Sequence, residues 1–155
     1  MKPFIRVMLV VAAIATGCAT EKTGTLYEVP GLPIQSLATI DVPAESSFFS
    51  VVTLESVCTY DTGECLRPKS ESRIAMRPGR KIVHACYVKR GYFARSPECN
   101  NDLLVFEAES GIGYRLYGEW FFKNEKGKRT MGPILWIENA ATGEVVVRAR
   151  LVRTD

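Results

Sequence analysis

Gly113-Tyr114-Arg115-Leu116-Tyr117-Gly118-Glu119-Trp120-Phe121-Phe122, followed by Lys123-Asn124-Glu125-Lys126-Gly127-Lys128 and, after a short gap, Ile134-Leu135-Trp136-Ile137-Glu138, is the stretch that decides the fold. Successive side chains of an extended strand point to opposite sides, so Tyr114, Leu116, Trp120 and Phe122 share one face, opposite Arg115 and Glu119. The polar run 124–128 interrupts this pattern before the apolar group 134–137. Residues 113–138 therefore read as a β-hairpin.

The same grammar extends in both directions. Downstream of a turn at 139–143, Val145, Val147, Ala149 and Leu151 alternate with Glu144, Val146, Arg148 and Arg150, the pattern of a strand with one buried face. Upstream, strands are expected over 36–42, 47–57, 72–77, 81–89 and 103–109, the last rich in Leu103, Leu104, Val105 and Phe106. Gly111-Ile112-Gly113 has too few glycines for a dinucleotide loop and reads as a tight turn between strands. Eight short strands separated by frequent turns predict an all-β domain over 36–155, a single antiparallel β-sandwich or small barrel of seven or eight strands.

The N-terminus has a different character. Lys2 and Arg6 precede an apolar run from residue 7 to 14, then Ala15-Thr16-Gly17-Cys18. A charged start, a short apolar middle and small residues make a secretory signal helix, too short to span a bilayer. Ala15-Thr16-Gly17-Cys18 resembles a bacterial lipoprotein lipobox. The resemblance implies a signal peptide at 1–17 and lipidation of Cys18 as the first mature residue. With Ala19 rather than Asp after it, it also implies attachment to the outer membrane, with the domain facing the periplasm. Residues 18–35, with Gly24, Pro30, Gly31 and Pro33, read as a flexible tether whose seventeen residues after Cys18 would reach about 55 Å fully extended.

The formal net charge is +3 and falls to +1 once Lys2 and Arg6 leave with the signal. A near-neutral exported protein gives no argument for nucleic acid as a partner. The charge is unevenly placed. Residues 18–66 carry seven acids against Lys22 alone, and residues 67–95 carry nine bases against Glu71 alone. A basic segment of this kind meets lipid phosphates or an acidic partner. The plainer expectation is that the two segments lie side by side and pair with each other, because segments close in sequence tend to be neighbours in a sheet.

Four cysteines follow the anchor: Cys58, Cys65, Cys86 and Cys99. An even number in an oxidising compartment predicts disulfides. Of three connectivities, Cys58–Cys65 with Cys86–Cys99 is favoured, because each pair brackets a turn-rich stretch. Asp61-Thr62-Gly63 reads as a hairpin tip and Gly91, Ser96 and Pro97 as a loop. The spacings do not suit a four-cysteine zinc site, and no C-x-x-C redox motif is present.

No catalytic constellation is legible, and no metal or cofactor is expected. The lone histidine, His84, falls on the strand face of Ile82, Cys86 and Val88 and reads as a packed core residue. It has no nucleophile-elbow spacing near it and no second ligand. Glu107 and Glu109 read as one solvated strand face, although with Glu119 they leave a carboxylate cleft open as a weaker alternative. Tyr92 and Phe93, beside Lys89, Arg90 and Arg95, form an aromatic–basic loop suited to binding, so Arg90, Tyr92, Phe93 and Arg95 are the candidate binding residues.

Three motifs bear on family. Residues 73–80, an apolar strand with Pro78-Gly79, are similar to an element of small PEGA-like, transthyretin-like β-sandwich domains of exported bacterial proteins. Residues 104–114 and 136–146 resemble strand–turn elements of uncharacterised bacterial lipoproteins. This likeness covers about residues 36–150 and implies a fold and a compartment rather than a reaction. The function expected is a non-enzymatic, lipid-anchored binding or structural module that docks onto an envelope protein. The alternative is a lysozyme inhibitor of the membrane-bound C type. Residues 108–114 are similar to that family's inserting loop at Ser110, Gly111 and Tyr114, with Gly113 where the family has arginine.

Overall fold

The computed structural model describes residues 24–43, 50–68, 73–89, 98–99, 104–125, 128–150 and 153–154. Its strands in chain order are β1 (Thr25–Tyr27), β2 (Ala38–Asp41), β3 (Ser50–Thr59), β4 (Cys65–Leu66), β5 (Arg73–Met76) and β6 (Gly79–Lys89). They continue with β7 (Glu98–Cys99), β8 (Leu104–Ala108), β9 (Gly113–Glu125), β10 (Lys128–Asn139), β11 (Val145–Arg150) and β12 (Arg153–Thr154). Two sheets pack face to face, as the alternating pattern predicts. Sheet A runs β1-β5-β2-β9-β10-β11, with β12 continuing the outer edge of β10. Sheet B runs β4-β3-β6, with β8 and β7 sharing the far edge of β6.

All eight strands expected from the pattern are present, and β9–β10 is the long hairpin of residues 113–138. The additions are β1, β4, β7 and β12, of two or three residues each. One of them moves a boundary. β1 lies within the stretch expected to be tether and pairs in parallel with β5, and a single 3-10 turn at Ile34–Ser36 leads into β2. The sandwich thus begins at least as early as Thr25 rather than at residue 36.

The core lies between the sheets. Ile40, Ile74, Leu116, Leu135 and Ile137 of sheet A meet Val57, Val83, Tyr87, Leu104 and Phe106 of sheet B. Each large aliphatic side chain so buried contributes about 1.5–3 kcal/mol. The layers approach closely at Gly118: a Cβ there would lie 2.7 Å from Val52 Cγ2 and 3.2 Å from Tyr87 Cδ2. A side chain at this position would wedge the sheets apart.

Two hairpin turns share one solution. Thr59 to Glu64 joins β3 to β4, and Asn139 to Glu144 joins β10 to β11, and both end Thr-Gly-Glu. In each, the first residue's N–H donates to the sixth residue's carbonyl at 2.9 Å, and the glycine N–H donates back to the first carbonyl at 2.8 Å. In each, the Thr hydroxyl accepts the Glu N–H at 3.2 Å. Gly63 and Gly143 hold φ near +70°, which only glycine adopts without strain. These turns gather at one end of the sandwich with the β5–β6 and β8–β9 connections. The β9–β10 tip lies at the other.

The acidic and basic segments pair, as the plainer expectation holds. Arg73 meets Asp41 at 3.6 Å, and Lys81 meets Glu28 at 3.4 Å. The second pair is unusual, because Lys81 occupies the core face of β6 and is only 2% exposed. Its ammonium donates to Thr59 Oγ1 at 2.8 Å and to Glu28 Oε2, which also accepts the Arg77 backbone N–H at 2.6 Å. A counter-charge and a second acceptor are what make such a burial tolerable.

Candidate functional site

The outward face of sheet A is built by register across three strands. Tyr117, Trp136 and Arg148 stand directly opposite one another on β9, β10 and β11. The Tyr117 and Trp136 rings stack with centroids 5.7 Å apart and planes 20° apart. The Arg148 guanidinium lies 5.7 Å from the Trp136 ring centre. Two residues along, Arg150 lies 4.7 Å from the Phe121 ring, and Phe121 pairs with Gly132, which has no side chain to compete for the space. Trp136 Nε1–H donates to Glu138 Oε1 at 2.6 Å, which fixes the indole.

An arginine laid on an aromatic ring keeps its in-plane N–H donors turned outward. Arg148 and Arg150 are both exposed, and among the described residues neither forms an ion pair with a carboxylate. They sit two residues apart on one side of a strand, about 7 Å along it. The arrangement is a cationic surface on a rigid aromatic base, suited to a surface that brings carboxylates or phosphates.

The outward face of sheet B is different. Cys58–Cys65 bridges β3 to β4 and Cys86–Cys99 bridges β6 to β7, the connectivity favoured from the turns. Each joins residues in direct register, with Cα atoms 4.0 Å apart. Beside the first bridge a recess of about 350 Å³ is lined by Glu55, Ser56, Cys65, Arg67 and His84. A β-bulge between Leu54 and Ser56 shapes it, and Ser56 stands opposite His84. His84 is therefore not a core residue: Lys81, Val83, Ala85 and Tyr87 take the core face, and His84 lies half-buried on the outer one. The Ser56 hydroxyl has Cys58 Sγ at 3.8 Å, and Glu55 accepts from Thr53 Oγ1 at 3.0 Å.

The other expected site residues divide. Cys18, Arg90, Tyr92, Phe93 and Arg95 lie outside the described residues. Glu107 is exposed on β8 and Glu109 in the turn that follows. Tyr114, part of the lysozyme-inhibitor likeness, is 3% exposed and packs edge-on against Phe106 with centroids 4.8 Å apart. Its oxygen accepts the Glu109 backbone N–H at 3.0 Å. Ser110 and Gly111 remain exposed in that loop.

The alternation that placed Arg148 and Arg150 on a polar face was legible, but the aromatic row beneath them was not. Trp136 sits in a continuous apolar run with no face of its own, and only the register against β9 and β11 assigns one. Among the described residues no three His, Cys, Asp or Glu side chains converge as metal ligands, and no helix is long and apolar enough to cross a membrane. Comparison with protein-family models, with curated proteins and with solved structures finds no match for this chain.

Proposed function

We propose that the chain is a non-enzymatic, lipid-anchored protein of the bacterial envelope, tethered to the outer membrane through Cys18 and working in the periplasm as a binding module. Its docking surface is the outward face of sheet A, and its partner is an envelope protein that presents carboxylates there. The observation that carries this is the Tyr117–Trp136–Arg148 row with Arg150 beside it, two guanidiniums set over aromatic rings with no acid of this chain paired to them among the described residues. Aromatic and arginine side chains dominate the energetics of protein interfaces, and pre-ordered ones lose little entropy on binding. The two disulfides suit an oxidising compartment, and the lipobox-like run supplies the anchor.

A photo-crosslinking amino acid in place of Tyr117, in cells, tests the surface. One envelope protein should be captured, and capture should be lost when Arg148→Glu and Arg150→Glu are combined. Capture indifferent to both arginines would count against this face. Mass spectrometry of the mature chain tests the anchor: a lipid-modified N-terminal Cys18 is expected, and an unmodified cysteine would remove it.

A further inference from the structure

We propose that the overhanging end of the β9–β10 hairpin, Phe121–Glu125 with residues 128–131, is a second membrane contact that settles on an anionic phospholipid surface. The proposal rests on the lipid anchor at Cys18. The described strands of sheet B stop short of this end of the hairpin. Val52 and Tyr87 pack over Gly118, and Trp120 still reaches Tyr87 with ring centroids 6.0 Å apart. Phe122 is on the same face two residues further, and it is 61% exposed, more than any other large hydrophobic side chain described. A phenylalanine on the core side of a strand, with no described layer opposite it, is an apolar tip looking for a cover.

Charge indicates which cover. These strand ends contain Phe121, Phe122 and Met131 together with Lys123, Lys128 and Arg129, against Glu125 alone. Apolar residues and bases close together in sequence are the composition that binds the interface of an anionic bilayer.

The path of the chain indicates the same thing independently. β1 runs parallel to β5, β5 antiparallel to β2, and β2 parallel to β9. Thr25, Arg73, Asp41 and Arg115 therefore stand in one row, and the chain enters β1 from the side toward which β9 advances. From Cys18 to Thr25 there are seven residues, at most about 24 Å of chain. From Arg115 to the end of β9 at Glu125 there are ten, about 34 Å of strand. Measured from that common row, β9 reaches further than the tether on the same side. A domain held by Cys18 thus presents its hairpin end to the lipid surface, at the high effective concentration that a short tether imposes.

The full chain carrying Phe122→Trp, reconstituted through its own lipid into vesicles with bromine on the upper acyl carbons, tests this. The unsubstituted chain run in parallel supplies the contribution of Trp120 and Trp136. In vesicles containing phosphatidylglycerol the new indole should lose about half its emission, because interfacial side chains sit at that depth. In pure phosphatidylcholine the loss should be absent, and Lys128→Glu with Arg129→Glu should abolish it in the anionic vesicles. An anchored protein whose indole at 122 is unquenched, or quenched equally in neutral vesicles, overturns the proposal. A chain recovered without lipid on Cys18 would instead overturn the anchor. That chain, sedimented with the same anionic vesicles, would still report the hairpin: salt-sensitive pelleting lost on Phe122→Ser supports the contact, and no pelleting overturns it.

Discussion

The two ends of this sandwich solve opposite problems. At one end, four short connections close the layers and satisfy their own polar groups: the twin Thr-Gly-Glu turns, the Glu109–Tyr114 bond, and Glu28 taking up both the Lys81 ammonium and the Arg77 N–H. At the other, β9 and β10 run past the last described residues of the opposite sheet, and Phe122 is exposed. Stability is therefore concentrated at the turn end, while Phe122 at the hairpin end and Arg148 and Arg150 beside it are exposed, the two arginines with no carboxylate paired to them among the described residues. A substitution at the turn end should damage folding, and one at the hairpin end should damage binding alone.

The largest expected effect tests that division directly. Glu28→Ala leaves the Lys81 ammonium buried with the Thr59 hydroxyl but without its carboxylate, and should cost about 3–5 kcal/mol in urea unfolding. Phe122→Ser should change stability by no more than about 0.5 kcal/mol, the usual range for surface positions. Equal costs would break the comparison. Adding Lys81→Met to Glu28→Ala should recover most of the loss, because an apolar side chain of similar length needs no counter-charge.

The disulfides come next, one near each end. Cys58–Cys65 spans a sequence separation of 7 and Cys86–Cys99 one of 13. On chain-entropy grounds, paired Cys→Ser replacement should cost about 2.5 kcal/mol at the first and about 3 kcal/mol at the second. Denaturant midpoints in the reverse order would mean that the staple at the turn end does more than restrict the unfolded chain. Between the ends, Gly118→Ala should cost about 1–3 kcal/mol, because its methyl group meets Val52 and Leu135 at under 3 Å. A neutral result would show that the layers separate there without penalty.

Much of this was legible from alternation alone. On β6 the pattern grouped Lys81 with Val83 and Tyr87, but the expectation for His84 put the core on the opposite face, and the structure reverses the two. Nor could the pattern name Glu28, 53 residues earlier, as the group that lets a lysine live in the core. Strands of two or three residues such as β1 and β4 are too short to show a period of two, so the pattern alone leaves Thr25–Tyr27 in the tether. The Asp61-Thr62-Gly63 tip was recognised because a turn carries its own chemistry. The Tyr117–Trp136–Arg148 row was not, because it exists only once three strands are placed in register.

The smallest effect separates the ends by pH. Burial raises the Tyr114 hydroxyl above its ordinary pKa of 10.0, the Glu109 N–H bond opposes this, and the charges of Glu109 and Glu107 add to it. The unfolded chain therefore releases this proton at lower pH than the folded one. The stability linked to Tyr114 is fully present below about pH 10 and is lost as pH rises through the folded value. Tyr114→Phe should flatten the alkaline fall of the unfolding free energy relative to the parent chain. At pH 7 it should cost about 1 kcal/mol, because the Glu109 N–H loses its acceptor. Phe122→Tyr is the matched control at the hairpin end: an exposed phenol titrates alike folded and unfolded and should add no slope. If Phe122→Tyr steepened the alkaline fall instead, residue 122 would be covered by the protein itself, and the hairpin end would belong to the core rather than to a partner.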